Sequence, residues 1–298
     1  MFNIIEKRAV FLGIAITMLL ASFVSMGVFG FKEGIDFSGG TLWQVDFQKD
    51  VSIQQFSDIL IKNGLEGVSV NKASDGSLIG RTKEISEEKH KEMISIISGE
   101  LGAFSEMSFQ SIGPSVGKEL KNKALIAIVL VLFGISLYVA FAFRKISYPV
   151  ASWKYGVATL VSLFHDVIIP TGVFAWLGSF KGAEVDTNFI VALLVIAGFS
   201  VHDTIVVFDR TRENLSKEKG KISFSQIVNK SVNETLARSI NTSLTLILVL
   251  IALYFAGPST LQYFVLTILI GTTVGTYSSI FMASPLLVVW YNFTKKEK

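Results

Sequence analysis

Ionisable residues stand inside long apolar runs of this 298-residue chain, where an unpaired charge is unfavourable. His165 and Asp166 lie side by side in one run, and His202 and Asp203 lie side by side in the next. Arg238 stands where the following apolar run begins. Placing one charged side chain at the centre of a bilayer costs roughly 2.5–3.5 kcal/mol on insertion scales. Each of these residues therefore needs a partner or a function.

The chemistry that Asp203 and Arg238 predict is proton binding. If their runs are neighbouring membrane helices, both residues lie at similar depth, roughly 7 Å from the cytoplasmic end of the Asp203 helix at about 1.5 Å per residue. Opposite charges at similar depth favour a pair. The preferred interpretation is that Asp203 binds and releases a proton beside Arg238, and that this changes helix packing. His202 is about 100° around the helix and is expected beside the site.

Two other interpretations of Asp203 and Arg238 stay open. The two charges can form a structural ion pair that only locks two helices together, or they can face a watery cavity and do little. His165 and Asp166 are expected nearer the middle of the membrane, as a secondary polar site.

Six apolar runs are long enough to hold these residues in a bilayer. Half of the chain is hydrophobic and 17% is charged, against about a quarter charged in an ordinary soluble domain. A hydrocarbon core of roughly 30 Å needs about 20 helical residues. We therefore predict a polytopic α-helical membrane protein with a first transmembrane helix at 9–29 and a bundle of five helices within 123–290, at 124–143, 151–177, 188–208, 239–256 and 261–290.

The distribution of lysine and arginine predicts how the spans are oriented. Short connections on the cytoplasmic side carry more of these residues. With six spans, both chain ends and two connections on the same side carry 14 of these residues, whereas the short connections on the opposite side hold only Lys181. Both termini are therefore predicted to be cytoplasmic. The residues on that side are Lys7, Arg8, Arg144, Lys145, Lys154, Arg210, Arg212, Lys217, Lys219, Lys221, Lys230, Lys295, Lys296 and Lys298.

The polar region 30–122 has the pattern of a small α+β domain on the outer side of the membrane. Residues 41–47 alternate as in a half-buried strand, residues 52–65 have apolar residues at helical spacing with Ser52 as a cap, and a second helix is placed at about 86–101. The predicted order is β-α-β-β-α-β, which is the ferredoxin-like arrangement. His90 falls in a charged helix and is predicted to be solvated. The predicted elements are 41–47, 52–65, 68–71, 77–82, 86–101 and 106–112.

The segment GIDFSGG follows the first span. Gly34, Gly39 and Gly40 suit a tight turn with close backbone approach where the chain leaves the bilayer. Asp36 is expected to accept hydrogen bonds from backbone N–H groups there, and contact with a partner or substrate is the alternative. The segment is not a phosphate-binding loop, because no GKS/T motif follows it.

Two further patterns concern helix packing. The cytoplasmic connection at 209–237 carries apolar residues among charges, which predicts an amphipathic element that lies at the membrane interface or faces a partner. The last span has a small residue at every fourth position, which lets another helix approach closely. These small residues are Thr267, Gly271, Gly275 and Ser279.

Several classes of function lack support in the sequence. It contains no nucleotide-binding glycine loop, no zinc-type spacing and no serine-nucleophile motif. We therefore expect no enzymatic activity, no cofactor and no metal. A net charge of +3 gives no argument for binding nucleic acid, and the absence of cysteine excludes disulfides and thiolate chemistry.

Three stretches resemble the SecD/SecF family. GIDFSGG at 34–40 is similar to the signature at the start of the family's periplasmic domain, and GPSVGKEL at 113–120 is similar to its return into the membrane. GFSVHDTIVVFDRTREN at 198–214, with SVNETLARSINTSLT at 231–245, is the most specific resemblance. His202 departs from the family's pattern, in which asparagine is expected before the aspartate.

The resemblance implies a non-enzymatic subunit of Sec protein export in the bacterial cytoplasmic (inner) membrane, with the outward domain in the periplasm. The family is similar to the two halves of the resistance-nodulation-division transporters, which are proton-driven. The implied partners are SecD, the SecYEG translocon, exported unfolded polypeptides and membrane lipid, with Asp203 and Arg238 as the proton-responsive pair. The alternatives are a half-transporter of a lipid or small molecule and a passive scaffold for translocon assembly.

Overall fold

The structure, a computed structural model, describes residues 2–73, 75–144, 150–218 and 221–296. Lys145, Lys219 and Lys298, which entered the orientation argument, lie outside the described residues. In chain order the elements are α1 (Arg8–Phe29), α2 (Ile35–Ser38), β1 (Gly40–Phe47), α3 (Ile53–Lys62), β2 (Ser69–Lys72), β3 (Leu78–Thr82), α4 (Glu87–Leu101), β4 (Phe104–Ile112), α5 (Pro114–Ala142), α6 (Ser152–Lys181), α7 (Thr187–Glu218), α8 (Phe224–Ala256), α9 (Gln262–Ser278) and α10 (Ser284–Lys296).

Six helices of the described part are long and apolar enough to cross a membrane, as predicted. They are α1, α5, α6, α7, α8 and a last span in which the π-helical segment Ser279–Ala283 joins α9 to α10. Helix α6 is central, because α1, α5, α7 and α9 all pack against it. The outer helices α5 and α8 present large exposed apolar side chains such as Leu130 and Leu248. Such a surface suits contact with lipid.

The soluble domain between α1 and α5 has one antiparallel sheet in the order β2-β3-β1-β4. Trp43 of the central strand β1 lies opposite Gly80 on one side and Phe109 on the other. Helices α3 and α4 bring Phe56 and Met93 into the core beneath the sheet. The predicted β-α-β-β-α-β order is the observed one. The ferredoxin-like name for this arrangement stays a prediction.

His90 is buried, so the prediction that it is solvated was wrong. Its ring stacks on Phe109 with centroids 3.5 Å apart and meets the Trp43 ring edge-on. The imidazole Nε2 and the indole Nε1 of Trp43 both contact Oε2 of Glu106, at 2.7 and 2.8 Å. The charged residues around His90 in sequence occupy the other faces of α4, which is why local composition suggested an exposed position.

The helices extend beyond the predicted spans, because their polar ends are stabilised by side-chain contacts. Helix α5 begins at Pro114, and helix α7 continues to Glu218 through much of the predicted connection at 209–237. The capping box of Ser223 starts α8, and ion pairs of Arg210 with Glu234 and of Lys230 with Glu218 join the two helices.

The apolar face of this helical connection is turned into the bundle. Phe224, Ile227 and Val228 are buried, with Phe224 and Val228 in a cluster that also contains Ile4 and Ile5 near the N-terminus. The expectation that this face lies against lipid or a partner is therefore wrong for these residues.

Small residues let helices approach closely at two places in the bundle. A Cβ on Gly271 of α9 would lie 2.2 Å from Ile196 of α7, which confirms the predicted close approach along the last span. A Cβ on Gly172 of α6 would lie 2.5 Å from Cα of Ser22 in α1. The carbonyl of Gly172 also accepts a hydrogen bond from Ser25 Oγ at 2.6 Å. These contacts hold α1 and α7 in place around the central helices.

Candidate functional site

Asp203 lies in a buried position where three membrane helices meet. Helix α8 begins shortly after α7 ends, so the two form an antiparallel pair, and α9 packs against both. The Asp203 side chain is buried, and its Oδ2 accepts a hydrogen bond from Ser243 Oγ of α8 at 3.4 Å. Ser243 Oγ in turn accepts a hydrogen bond from Thr276 Oγ1 of α9 at 2.6 Å. Hydroxyl groups therefore connect this carboxylate with both α8 and α9.

The expected direct pair of Asp203 and Arg238 is not formed, since no salt bridge joins them in the described part of the chain. Ser239 and Ser243 are four residues apart and share the buried face of α8 that meets α7. Arg238 is one residue, about 100°, away from that face, and its side chain is exposed.

His202 is also exposed, on the turn of α7 that carries Asp203. It lies beside the site as the sequence predicted. His202 and Arg238 are thus ionisable groups at the outer surface of the bundle, one on each side of a buried carboxylate.

His165 and Asp166 form a second buried polar site, in the central helix α6. Asp166 Oδ1 lies 2.9 Å from Nδ1 of His165. Its Oδ2 accepts hydrogen bonds from Ser278 Oγ at 2.6 Å and from Ser200 Oγ. Ser162 adds a hydrogen bond to Ser278 Oγ at 3.1 Å. The site therefore ties α6 to α7 and to the end of α9.

Sequence reasoning missed the hydroxyl residues that hold both carboxylates. Ser200 precedes Asp203 by one helical turn, yet it bonds Asp166 of another helix. Ser243 donates a hydrogen bond to Asp203, and Thr276 donates one to Ser243. Ser278 donates a hydrogen bond to Asp166. The available signal was the recurrence of serine and threonine at helical spacing within apolar spans, because such residues commonly hydrogen-bond across membrane helices.

The GIDFSGG segment forms the turn that the sequence predicted. Gly39 and Gly40 have φ angles of +74° and +124°, which favour glycine. A Cβ on either would lie 2.8 Å from backbone atoms of Pro114 or Thr82 respectively. The turn is therefore packed between the sheet and the start of α5.

The same segment docks on the loop between α6 and α7. Gly34 N–H donates to the carbonyl of Val185 at 2.9 Å, and Val185 N–H donates to the carbonyl of Lys32 at 2.7 Å. Asp36 Oδ2 accepts from the N–H of Thr187, the first residue of α7, at 2.8 Å. Asp36 thus accepts a backbone hydrogen bond as predicted, but from a donor 151 residues further along the chain.

Ion pairs reinforce this contact, which we call the root contact: residues 32–36 against residues 184–187. Glu184 pairs with Arg81 of strand β3, and Glu33 pairs with Lys121 of α5. Asp186 accepts a hydrogen bond from the N–H of Phe189 at 2.7 Å and so caps α7. Burial, reinforced by the nearby charge of Asp36, raises the pKa of the Asp186 carboxyl above its ordinary value. The soluble domain is therefore attached to the third and fourth spans as well as to its own two.

The described residues contain no group of three or more His, Asp or Glu side chains that could hold a metal ion. The arrangement of Asp203 and Asp166 instead suits the binding and release of protons, because a buried carboxylate with hydroxyl contacts has both a charged and a neutral form that can be hydrogen-bonded.

Comparisons with known proteins identify the family. Residues 94–293 match the family model described as protein export membrane protein SecD/SecF, C-terminal, and residues 24–51 match the SecD/SecF GG motif. The protein translocase subunit SecF of Thermobaculum terrenum is 43% identical, over 98% of this chain and 95% of the relative. The protein translocase subunit SecDF of Thermus thermophilus is 36% identical, over 95% of this chain but only 38% of that longer relative.

Solved structures agree with this assignment. A crystal structure of SecDF from Thermus thermophilus, described as a translocon-associated membrane protein, covers 98% of this chain with a TM-score of 0.83 at 33% identity. A structure of SecDF in a super-membrane-facing form covers 99% with a TM-score of 0.69. The chain spans 39% of the length of each SecDF chain. From the matched motifs, the near full-length relatives and the shared fold, this chain belongs to the SecD/SecF family of protein export membrane proteins.

Proposed function

We propose that this chain is a subunit of the Sec protein-export machinery that works with SecD and uses the proton gradient to promote export. Its relatives are named protein translocase subunits SecF and SecDF. We assign it a mechanical role without catalysis, in which proton binding in the membrane moves the soluble domain.

The observation that carries the proton role is the buried carboxylate of Asp203. Its hydrogen-bond contact is the neutral hydroxyl of Ser243, and no cation in the described residues forms a salt bridge with it. An ionised carboxylate is unfavourable away from water unless a cation or several donors compensate the charge. Such a group binds a proton when one is supplied and loses it when the surroundings become more polar or more positive.

The exposed positions of Arg238 and His202 support a membrane partner. Arg238 shares the outer surface of α8 with large apolar side chains such as Ile240 and Leu244. A charge on a surface that faces lipid is expensive, so another protein is expected to cover it. SecD is the proposed occupant, because a single SecDF chain contains a region similar to this one within a much longer protein.

The root contact supports transmission of movement from the membrane to the soluble domain. Asp203 belongs to α7, and the first residue of α7 is bonded to Asp36. A shift of α7 would therefore act directly on the base of the domain. One of the two SecDF structures is described as a super-membrane-facing form, and it matches this chain with a TM-score of 0.69, against 0.83 for the other.

The proposed location is the bacterial cytoplasmic membrane, with both termini in the cytoplasm and the soluble domain in the periplasm. There the domain would meet unfolded polypeptides as they leave the SecYEG translocon. The excess of lysine and arginine at one side of the six spans supports this orientation.

Export of a reporter preprotein into inverted membrane vesicles tests the proposal. The vesicles carry SecD with wild-type chain, Asp203→Asn or the matched control Asp209→Asn. Asp209 lies on the same helix but is exposed and paired with Arg212 at 2.8 Å. We expect Asp203→Asn to lose the gradient-dependent part of export, while Asp209→Asn behaves as the wild type.

Two controls make the result decisive. Assembly with SecD is compared by co-purification, and each assay is repeated after an ionophore has collapsed the gradient. Equal gradient-dependent export by wild type and Asp203→Asn would contradict the proton role and favour a passive scaffold.

A further inference from the structure

A polar cluster that the proposed role of Asp203 does not use lies between α6, α7 and the last span. Its members are side chains of three helices, and each is almost completely buried. They are Ser162, His165, Asp166, Ser200 and Ser278, none more than 1% exposed.

The hydrogen bonds of Asp166 suit an ionised carboxylate. Oδ1 can accept from Nδ1–H of His165 at 2.9 Å, and Oδ2 accepts from Ser278 Oγ at 2.6 Å and from Ser200 Oγ. A carboxylate with several donors is stabilised in its charged form. With Asp166 ionised and the imidazole neutral, the pair holds one ionisable proton and has a charge of −1. When the pair takes up a second proton, its charge becomes zero.

The other ring nitrogen of His165 shows where a proton can arrive. Nε2 is buried and has no hydrogen-bond partner among the described residues. When Nδ1–H points at Asp166, Nε2 carries the free lone pair of the neutral ring, so Nε2 is the ring atom that can bind a proton. The proton on Nδ1 can then pass to Oδ1 of Asp166, which leaves a neutral carboxylic acid and a neutral imidazole in its other tautomer. One proton enters at Nε2 and one is held on Asp166, so the balance is complete.

Ser278 links the charge of Asp166 to the backbone of the last span. Its hydroxyl lies within hydrogen-bond distance of two acceptors, Asp166 Oδ2 at 2.6 Å and the carbonyl of Gly275 at 3.1 Å. One hydroxyl proton cannot serve both fully. Hydrogen bonds to a charged acceptor are roughly twice as strong as neutral ones, so loss of the charge on Asp166 favours the bond to Gly275.

Ser278 stands directly before the π-helical segment Ser279–Ala283. Such segments are rare and frequently occur at functional sites. The backbone N–H of Ser279 also bonds the carbonyl of Gly275. A change in the bonds at Gly275 therefore acts at the place where the last span departs from α-helical geometry.

We propose that His165 and Asp166 form a second proton-binding site, separate from Asp203, and that its charge controls how the π-helical segment is held against α6 and α7. This proposal does not depend on the role of Asp203 in export. It assigns the proton as ligand and the last span as the element that responds.

Few other titratable groups face this site. On α7 the titratable groups next to Ser200 are His202, which is exposed two residues further on, and Asp203, which is buried three residues further on. Helix α9 carries Tyr277, whose hydroxyl donates to the carbonyl of Phe11 in α1 at 2.7 Å. On the helices that pack against α6, no other Asp, Glu, Lys, Arg or His in the described residues forms a hydrogen bond or ion pair with His165 or Asp166.

Infrared difference spectroscopy on the full chain in lipid nanodiscs tests the proposal, because a protonated carboxyl group has its own carbonyl band. Spectra are recorded at successive pH values for wild type, Asp166→Asn, His165→Asn and Asp203→Asn. We expect part of the band to disappear in Asp166→Asn and to remain in Asp203→Asn. His165→Asn keeps a donor near Nδ1 but removes the ring, so it should move the pH at which that part appears.

Hydrogen exchange of the backbone amides of the π-helical segment Ser279–Ala283 provides the second readout. We expect acidification to change their protection factors, which compare the measured exchange rate with the intrinsic rate at the same pH, several-fold in wild type and Asp203→Asn, but not in Asp166→Asn or Ser278→Ala. Thr159→Ala is the matched control, because Thr159 is buried in α6 and its hydroxyl bonds only the carbonyl of Tyr155 among the described residues.

The outcomes separate this proposal from a purely structural role. A carboxyl band that is the same in wild type and a folded Asp166→Asn would overturn it, as would protection factors at Ser279–Ala283 that do not respond to pH in wild type. If Asp166→Asn does not assemble, wild type and His165→Asn labelled at the aspartate side-chain carbon decide the matter: an aspartate band with the same pH response in both overturns the proposal.

Discussion

Serine hydroxyls contact both aspartates that lie within the membrane helices, and Asp166 also contacts His165. Ser243 bonds Asp203, while Ser200 and Ser278 bond Asp166. A hydroxyl can donate to a carboxylate and accept from a carboxylic acid, so it accommodates both protonation states. A lysine or arginine in the same place would hold the carboxylate in its charged form.

Asp186 at the root contact has a charged form that the fold disfavours. Because its pKa is raised in the folded protein, the folded state binds more protons than the unfolded state between the ordinary pKa and the raised one. The stability of the folded state therefore falls as pH rises through that acidic window. Below the window the group is protonated in both states, so its contribution to stability is fully present and no longer varies with pH.

We expect Asp186→Asn to remove this part of the pH dependence. Asparagine still caps a helix about as well as aspartate, so the hydrogen bond from Phe189 N–H is kept. Thermal unfolding in detergent across acidic to neutral pH measures the effect. Asp58→Asn, at an exposed position in α3, serves as the control and should retain the wild-type profile. A profile of Asp186→Asn that coincides with wild type would contradict the expectation.

Helices of the bundle are positioned by close approach at a few small residues. The contact of Gly172 with Ser22 brings the first span against the central helix α6, where no side chain fits. Gly134 of α5 has no atom within 4 Å of the position that a Cβ would take. The same substitution by alanine would therefore place a Cβ in a tight helix contact at Gly172 and in open space at Gly134.

We expect Gly172→Ala to lower the free energy of unfolding by about 1–3 kcal/mol, because overpacking forces α1 away from α6. Gly134→Ala is expected to be neutral or to raise it by up to about 1 kcal/mol, since alanine favours helix. Unfolding of the purified protein in mixed micelles measures both. Equal effects of the two substitutions would show that the contact with Ser22 does not limit packing.

In the whole molecule, the soluble domain and the membrane bundle are joined by more than the chain itself. The ion pair of Arg81 with Glu184 connects strand β3 to the loop between α6 and α7, and both side chains are only partly exposed. Backbone hydrogen bonds between residues 32–34 and 185 lie alongside. Movement of the third and fourth spans is therefore expected to reach the domain through this contact.

A charge exchange tests this connection. We expect Arg81→Glu to loosen the root contact by like-charge repulsion with Glu184, raising amide exchange at residues 182–187. The double variant Arg81→Glu with Glu184→Arg should recover most of the protection. The coupling energy for residues in contact is about 0.5–3 kcal/mol. No recovery in the double variant would argue that the two side chains do not interact when the protein is embedded in a membrane.

The sequence alone determined the features that depend on local composition. Runs of apolar residues predicted all six spans, because a bilayer requires a helix of a certain length with few charges. Alternating and helical patterns predicted the order of elements in the soluble domain, since one face of each packs on a shared core. The same sequence singled out Asp203 and Asp166 as the unusual residues to explain.

Only the tertiary structure decided which groups meet. In a membrane span nearly every face is apolar, so hydrophobic periodicity does not specify how a helix is rotated. That rotation turns Arg238 outward and brings Ser243 to Asp203. The contacts of Asp36 with Thr187 and of Asp166 with Ser278 join residues more than a hundred positions apart. Such contacts depend on how the helices pack together, which no local pattern encodes.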